Sequence, residues 1–167
     1  MPKTNPTPSR TTSSNAPSFD LESDAGKRVT LEDFAGRWLI VYFYPRDNTP
    51  GCTREAQDFT KAAAKLKKLG AAVVGISRDS AKSHCGFKEK IGIGFPLLCD
   101  TNLVAHKAFG AWGTKKMYGK DVTGTIRSTY LISPEGKLVR SWSGVKVDGH
   151  VEKVIAALEE ARKSTAL

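Results

Sequence analysis

The chain carries three cysteines, Cys52, Cys85 and Cys99. Only Cys52 stands where local sequence can make a thiol reactive. An apolar run, Trp38 to Tyr44, ends at Pro45-Arg46-Asp47-Asn48, and Thr49-Pro50-Gly51-Cys52 follows. Thr49 suits a helix N-cap and Pro50 the first helical position. On that register Cys52 is the third residue of a helix. There the backbone N–H groups lack intrahelical acceptors and the helix end carries partial positive charge. A thiolate is favoured in such a place, and the thiolate is the nucleophilic form. It can take part of the acceptor role that Glu or Gln has in a capping box, with the Thr49 hydroxyl close to the sulfur. The competing view of Cys52 on position alone is a small buried thiol without chemistry.

Other chemistries fit the residues less well. Cys52-Thr53-Arg54-Glu55 lacks the second thiol of a Cys-x-x-Cys pair. The separations of His84, His106 and His150 match no common zinc spacing, so no metal site is expected and the histidines read as surface or capping residues.

The elements that must position Cys52 follow from patterning. Trp38–Tyr44 reads as a strand covered on both faces. The Cys52 helix runs on with Phe59, Ala63, Leu66 and Leu69 on or near one face, to a stop at Gly70. Ala71–Ser77 is the next strand, and Ser80 caps a helix to about Lys90. Phe95–Cys99 is a short strand, and Leu103–Phe109 a short helix ended by Gly110. Ile126–Ile132 and Lys137–Ser143 alternate as strands around the turn Ser133-Pro134-Glu135-Gly136. Asp148 to about Lys163 is an amphipathic helix with Val151, Val154, Ile155 and Leu158 inward. Alternating strands and helices imply an α/β fold around a mixed sheet.

Pro45-x-x-x-Thr49-x-x-Cys52 resembles the Pro-x-x-x-Thr-x-x-Cys motif of peroxiredoxins. The longer run from Phe43-Tyr44-Pro45 to Thr53 is similar to the bacterioferritin-comigratory-protein (PrxQ) subfamily. Ala16-Pro17-Ser18-Phe19-Asp20-Leu21, Ser83-His84, Phe95-Pro96-Leu97-Leu98 and Arg127-Ser128-Thr129-Tyr130-Leu131-Ile132 resemble its other landmarks. The resemblance covers all but about the first fifteen residues. It implies a thioredoxin-like fold and a thiol-dependent peroxidase without metal or organic cofactor. It gives Cys52 the attack on hydrogen peroxide or an alkyl hydroperoxide. Arg127 and Thr49 become the groups that stabilise the charge, and Pro45 the group that shields and shapes the pocket. Taken alone, Arg127 reads as a solvated strand-end arginine. Arg46 and Arg54 flank Cys52 and read as solvated.

The recycling step departs from the subfamily pattern. The resemblance implies a resolving cysteine five residues after Cys52, where Gln57 stands, or in the next helix at the place of Lys88. Cys85 lies one turn before Lys88, and Cys99 reads as a packing thiol. A one-Cys cycle is therefore expected, regenerated by thioredoxin, glutaredoxin or a small thiol. A two-Cys cycle resolved by Cys85 is the alternative. The subfamily implies a monomer.

Composition agrees with a compact enzyme. At 167 residues one domain is the natural count. Residues 1–15, rich in Ser, Thr, Pro and Asn, read as a disordered tail, and 16–167 as the domain. No apolar run reaches membrane-span length, no secretory signal is evident, and three unpaired thiols suit a reducing compartment. The cytoplasm is the expected location, with no membrane partner. A formal charge of +9 raises nucleic-acid binding as another function. The basic residues are scattered, however, and Lys65-Lys67-Lys68 and Lys115-Lys116 read as solvated helix and loop positions, so no specific nucleic-acid partner is expected.

Overall fold

The computed structural model describes residues 14–165. Every residue of the strand β3 (Trp38–Phe43) is buried. This follows from its place in the sheet, between parallel β4 (Ala71–Ser77) and antiparallel β8 (Ser128–Ile132). The seven strands run in the order β2-β1-β5-β4-β3-β8-β9, where β1 is Asp20–Ser23, β2 Arg28–Thr30, β5 Leu97–Cys99 and β9 Leu138–Ser143.

Side-chain alternation along β3 divides the core in two. Trp38, Ile40 and Tyr42 pack with Phe59 of α1 (Pro50–Lys61), Leu66 of α2 (Ala63–Lys68), Phe87 of α3 (Ala81–Ile91) and Leu158 of α5 (His150–Thr165). Leu39, Val41 and Phe43 pack on the other face with Phe34, Ala105 and Phe109, the last two from α4 (Val104–Phe109). Each fully buried aromatic or branched side chain contributes about 1.5–3 kcal/mol. The expected mixed sheet flanked by helices is thus present, and among the described residues no helix is long and apolar enough to cross a membrane.

Three sequence expectations need correction. The helix expected to run to Gly70 is interrupted at Ala62. Thr60 donates its hydroxyl to the Ala56 carbonyl at 2.7 Å, a bond that bends helices from within. Lys115 and Lys116 are not loop residues but lie in β6 (Trp112–Met117), paired with β7 (Lys120–Thr125) in a separate hairpin. Its two-residue turn has positive φ at both Tyr118 and Gly119, as such turns require. The three histidines are not on the surface: His84, His106 and His150 are all buried. Just before the expected domain start at residue 16, Asn15 bridges Lys137 and the Ser14 carbonyl accepts from Leu138. The rest of the expected tail lies outside the described residues.

Candidate active site

Cys52 occupies the third position of α1 and is buried. The helix buries Cys52, Glu55, Ala56 and Phe59, the i, i+3, i+4, i+7 stripe of an amphipathic helix. Arg127, in the segment leading into β8, reaches this stripe from the sheet. Its Nη2 lies 3.5 Å from Cys52 Sγ and its Nη1 donates to Glu55 Oε1 at 2.7 Å. The approach depends on Gly51, where a Cβ atom would stand 3.1 Å from Arg127 Nη2. The Arg127 side chain is only 16% exposed. Burial opposes its charge, but Glu55 and Cys52 more than offset that and hold the guanidinium protonated.

Sequence reasoning missed Glu55. It is fully buried, and desolvation pushes its carboxyl up to about 7, against the pull of Arg127. Among the described residues its Oε2 has no hydrogen-bond partner, and neither has the buried Tyr42 hydroxyl. Burial, with Glu55 and then Cys52 nearby, raises the Tyr42 phenol well above its ordinary value. The signal for Glu55 was available, since it stands on the apolar stripe of α1 where a carboxylate has no place without a cation.

The other expected residues are placed differently. Thr49 has the extended backbone of an N-cap but makes no side-chain cap. Its hydroxyl donates to the Arg46 carbonyl at 2.9 Å, so its single proton is committed to the loop rather than to the sulfur. Pro45 is half-buried and lines a surface groove with Arg46, Arg78, Asp79 and Thr101. Arg54 is exposed, as expected, and pairs at the surface with Asp148 at 2.8 Å. The arrangement supplies a buried sulfur with a fixed cation and helix N–H groups, which suits attack by a thiolate and stabilisation of an oxyanion.

Comparison with known proteins agrees. The AhpC/TSA family model matches residues 12–141. The chain belongs to this peroxiredoxin family. Peroxiredoxin Bcp of Xanthomonas campestris is 47% identical over 150 residues, 89% of this chain and 94% of that protein. Peroxiredoxin Bcp of Bacillus subtilis is 42% identical over 145 residues, 87% and 92% of the two chains. A structure of Xanthomonas campestris peroxiredoxin Q superposes with a TM-score of 0.81 at 47% identity, covering 85% of this chain and 90% of the other. That relative has also been solved as cysteine-to-serine mutants at two positions thirty-six residues apart. The fold is thioredoxin-like and the protein is a peroxiredoxin-type peroxidase.

In this peroxiredoxin the loop before Cys52 is tied to α3 by buried polar groups. Asp47 accepts from the Tyr44 hydroxyl at 2.6 Å, the Ser83 hydroxyl at 2.7 Å and His84 Nδ1 at 2.8 Å. His84 Nε2 lies 3.0 Å from the Leu98 carbonyl, so both ring nitrogens have polar partners. Burial works against the Asp47 charge, but these bonds win and hold its carboxyl below the usual range. Asp79 closes the cluster, accepting from the Asp47 N–H and the Ser77 hydroxyl. Asp47, Asp79 and His84 bring ligand-type atoms within 4.8 Å of one another, but hydrogen bonds already occupy them.

The second tie lies at the middle of α3. Exposed Cys85 donates its S–H to the Asp24 carbonyl at 2.9 Å, and Lys88 Nζ pairs with Asp24 Oδ2 at 3.0 Å. Asp24 in turn is fixed to β5 through the Leu97 N–H and carbonyl. Cys99 is half-buried, and burial with nearby carboxylates, Glu22 foremost, pushes its thiol up to about 11, which keeps it protonated and unreactive.

Proposed function

We propose that Cys52 is the peroxidatic cysteine of this chain, working in a one-Cys cycle. The carrying observation is the buried Cys52 Sγ with Arg127 Nη2 at 3.5 Å. The thiolate attacks the terminal oxygen of hydrogen peroxide or an alkyl hydroperoxide. An S–O bond forms, the O–O bond breaks, and an alkoxide or hydroxide leaves to be protonated. Cys52 becomes a sulfenic acid, the reversible first rung of cysteine oxidation. Arg127 and the α1 N–H groups stabilise the departing charge. Thr49 acts by holding the Arg46 carbonyl and so the loop shape, and Pro45 closes the side of the loop. The step uses no metal or organic cofactor.

An external thiol completes the cycle, whether thioredoxin, glutaredoxin or a small thiol. Thirty-six residues beyond Cys52 this chain has Lys88, not cysteine. Cys85 instead stands one turn earlier, bonded to the Asp24 carbonyl. A disulfide needs Cα atoms within about 7 Å, and a Cys85-resolved cycle would have to break the Cys85–Asp24 bond and move α3 against the Lys88–Asp24 pair. The enzyme acts as a cytoplasmic monomer of one domain over 16–167.

Intact mass and peptide mapping after one equivalent of hydrogen peroxide test this. Added oxygen on Cys52, unchanged in Cys85→Ser and absent in Cys52→Ser, is expected. Loss of two hydrogens with a Cys52–Cys85 peptide would establish the two-Cys cycle instead.

A further inference from the structure

Arg127 is one cation serving two buried acids. Its guanidinium meets Cys52 Sγ through Nη2 and Glu55 Oε1 through Nη1. If both were ionised, the buried triad would carry a net negative charge in a site almost closed to water, which is electrostatically unfavourable. The other groups facing Glu55 do not relieve this. Asp58 on α1 adds negative charge, and Tyr42 on β3 is a neutral phenol. Glu55 also has one oxygen, Oε2, that is buried and accepts from nothing among the described residues. An ionised carboxylate here would bury charge on an oxygen that no donor reaches, a cost that the neutral acid avoids.

We propose that Glu55 and Cys52 share one proton across Arg127, and that this proton leaves with the alkoxide when Cys52 is oxidised. This rests on Cys52 being the peroxidatic cysteine. With the proton on Glu55, sulfur is the thiolate and Arg127 is balanced. Attack converts the thiolate to a neutral sulfenic acid, so the guanidinium loses the one anion that balanced it. Glu55 then gives up its proton and becomes that anion. Thiolate, hydroperoxide and Glu55 carboxylic acid become sulfenic acid, alcohol and Glu55 carboxylate, so the atoms and charges balance and no further reactant is needed. Glu55 acts through Arg127 and is a positioning and proton-holding residue, not one that touches the peroxide.

The test counts protons rather than turnover. Reduced enzyme at pH 6, below the Glu55 value near 7, in weak buffer with an indicator dye receives one equivalent of cumene hydroperoxide, and mass spectrometry counts the Cys52 oxidised. Wild type is expected to take close to no protons from solution, whereas Glu55→Gln, which has no proton to give, takes about one per sulfenic acid. Should Glu55→Gln not fold, wild type alone decides, because a proton already held by the pair leaves its uptake close to zero at pH 6, whereas a thiolate without such a proton takes about one. Uptake of a full proton by wild type at pH 6, or equal uptake by Glu55→Gln and wild type, would overturn the proposal. A Cys52 left unoxidised would overturn the underlying assignment of the peroxidatic cysteine.

Discussion

Replacing Glu55 by Gln tests the electrostatics of the site through stability alone. Burial raises the Glu55 carboxyl from 4.5 to about 7 in the folded chain, while Arg127 pulls the other way and loses. In the unfolded chain the carboxyl ionises near 4.3. Between these values the folded state holds a proton that the unfolded state has released, so stability falls as pH rises. The contribution is complete below about pH 4 and is lost as pH passes the folded value near 7. At 1.36 kcal/mol per pH unit, the loss amounts to about 3 kcal/mol. Glutamine keeps the shape and the acceptor for Arg127 but cannot ionise. Urea unfolding of both reduced proteins at intervals from pH 4.5 to 8 should show the variant gaining about 3 kcal/mol relative to wild type over that range. This corresponds to about 6–12 °C in Tm for a chain of this size. Running the pair also in a Cys52→Ser background removes the thiolate from the comparison. A difference that stays flat with pH, or that moves in favour of wild type as pH rises, would refute the view that desolvation outweighs Arg127 at this site.

Arg127→Gln removes the cation beside Cys52 and should slow sulfenic acid formation about 10²–10³-fold in stopped-flow measurements, the usual loss for one fixed oxyanion donor. Asp47→Ala leaves the buried His84 ring and the Tyr44 hydroxyl without their partner. It should cost about 3–5 kcal/mol, a Tm fall of about 6–20 °C. Because Asp47 is held below its ordinary value, that wild-type advantage is present above about pH 4 and disappears on acidification, which thermal melts at pH 3 and pH 7 would compare. Lys88→Cys breaks the pair with Asp24 and places a thiol thirty-six residues after Cys52. Peroxide should then produce a disulfide between Cys52 and the introduced thiol, read as the loss of two hydrogens by intact mass, where wild type gains oxygen.

The parts of the site that were legible in the sequence are those written within one turn of chain. Thr49-Pro50-Gly51-Cys52 encodes a helix start and puts sulfur at its third position, and β3 announces itself as an unbroken apolar run. Arg127 has no such local mark, because what distinguishes it from a solvated arginine is a contact seventy-five residues back in the chain. Only motif resemblance pointed to it. The histidines failed for the same reason. Each is buried beside a polar partner that its own position in the sequence does not announce: Asp47 for His84, Asp100 for His106 and Thr129 for His150. The β6–β7 hairpin was unreadable on different grounds. Its strands are largely exposed and polar on both faces and carry Gly113 and Gly124, so neither alternation nor β-propensity marks them. Glu55 was legible and overlooked, since a carboxylate on the stripe Cys52, Glu55, Ala56, Phe59 demands a buried cation.

The separation of Cys52 from Arg127 along the chain also orders events in time. The two meet only once β8 has paired with β3, a contact that closes late because the loop between them is long. On the ribosome, at about 5–20 residues per second, Arg127 is made about 4–15 s after Cys52. Throughout that interval the nascent thiol has no guanidinium beside it. The contact between Arg127 and Cys52 arrives together with the finished sheet.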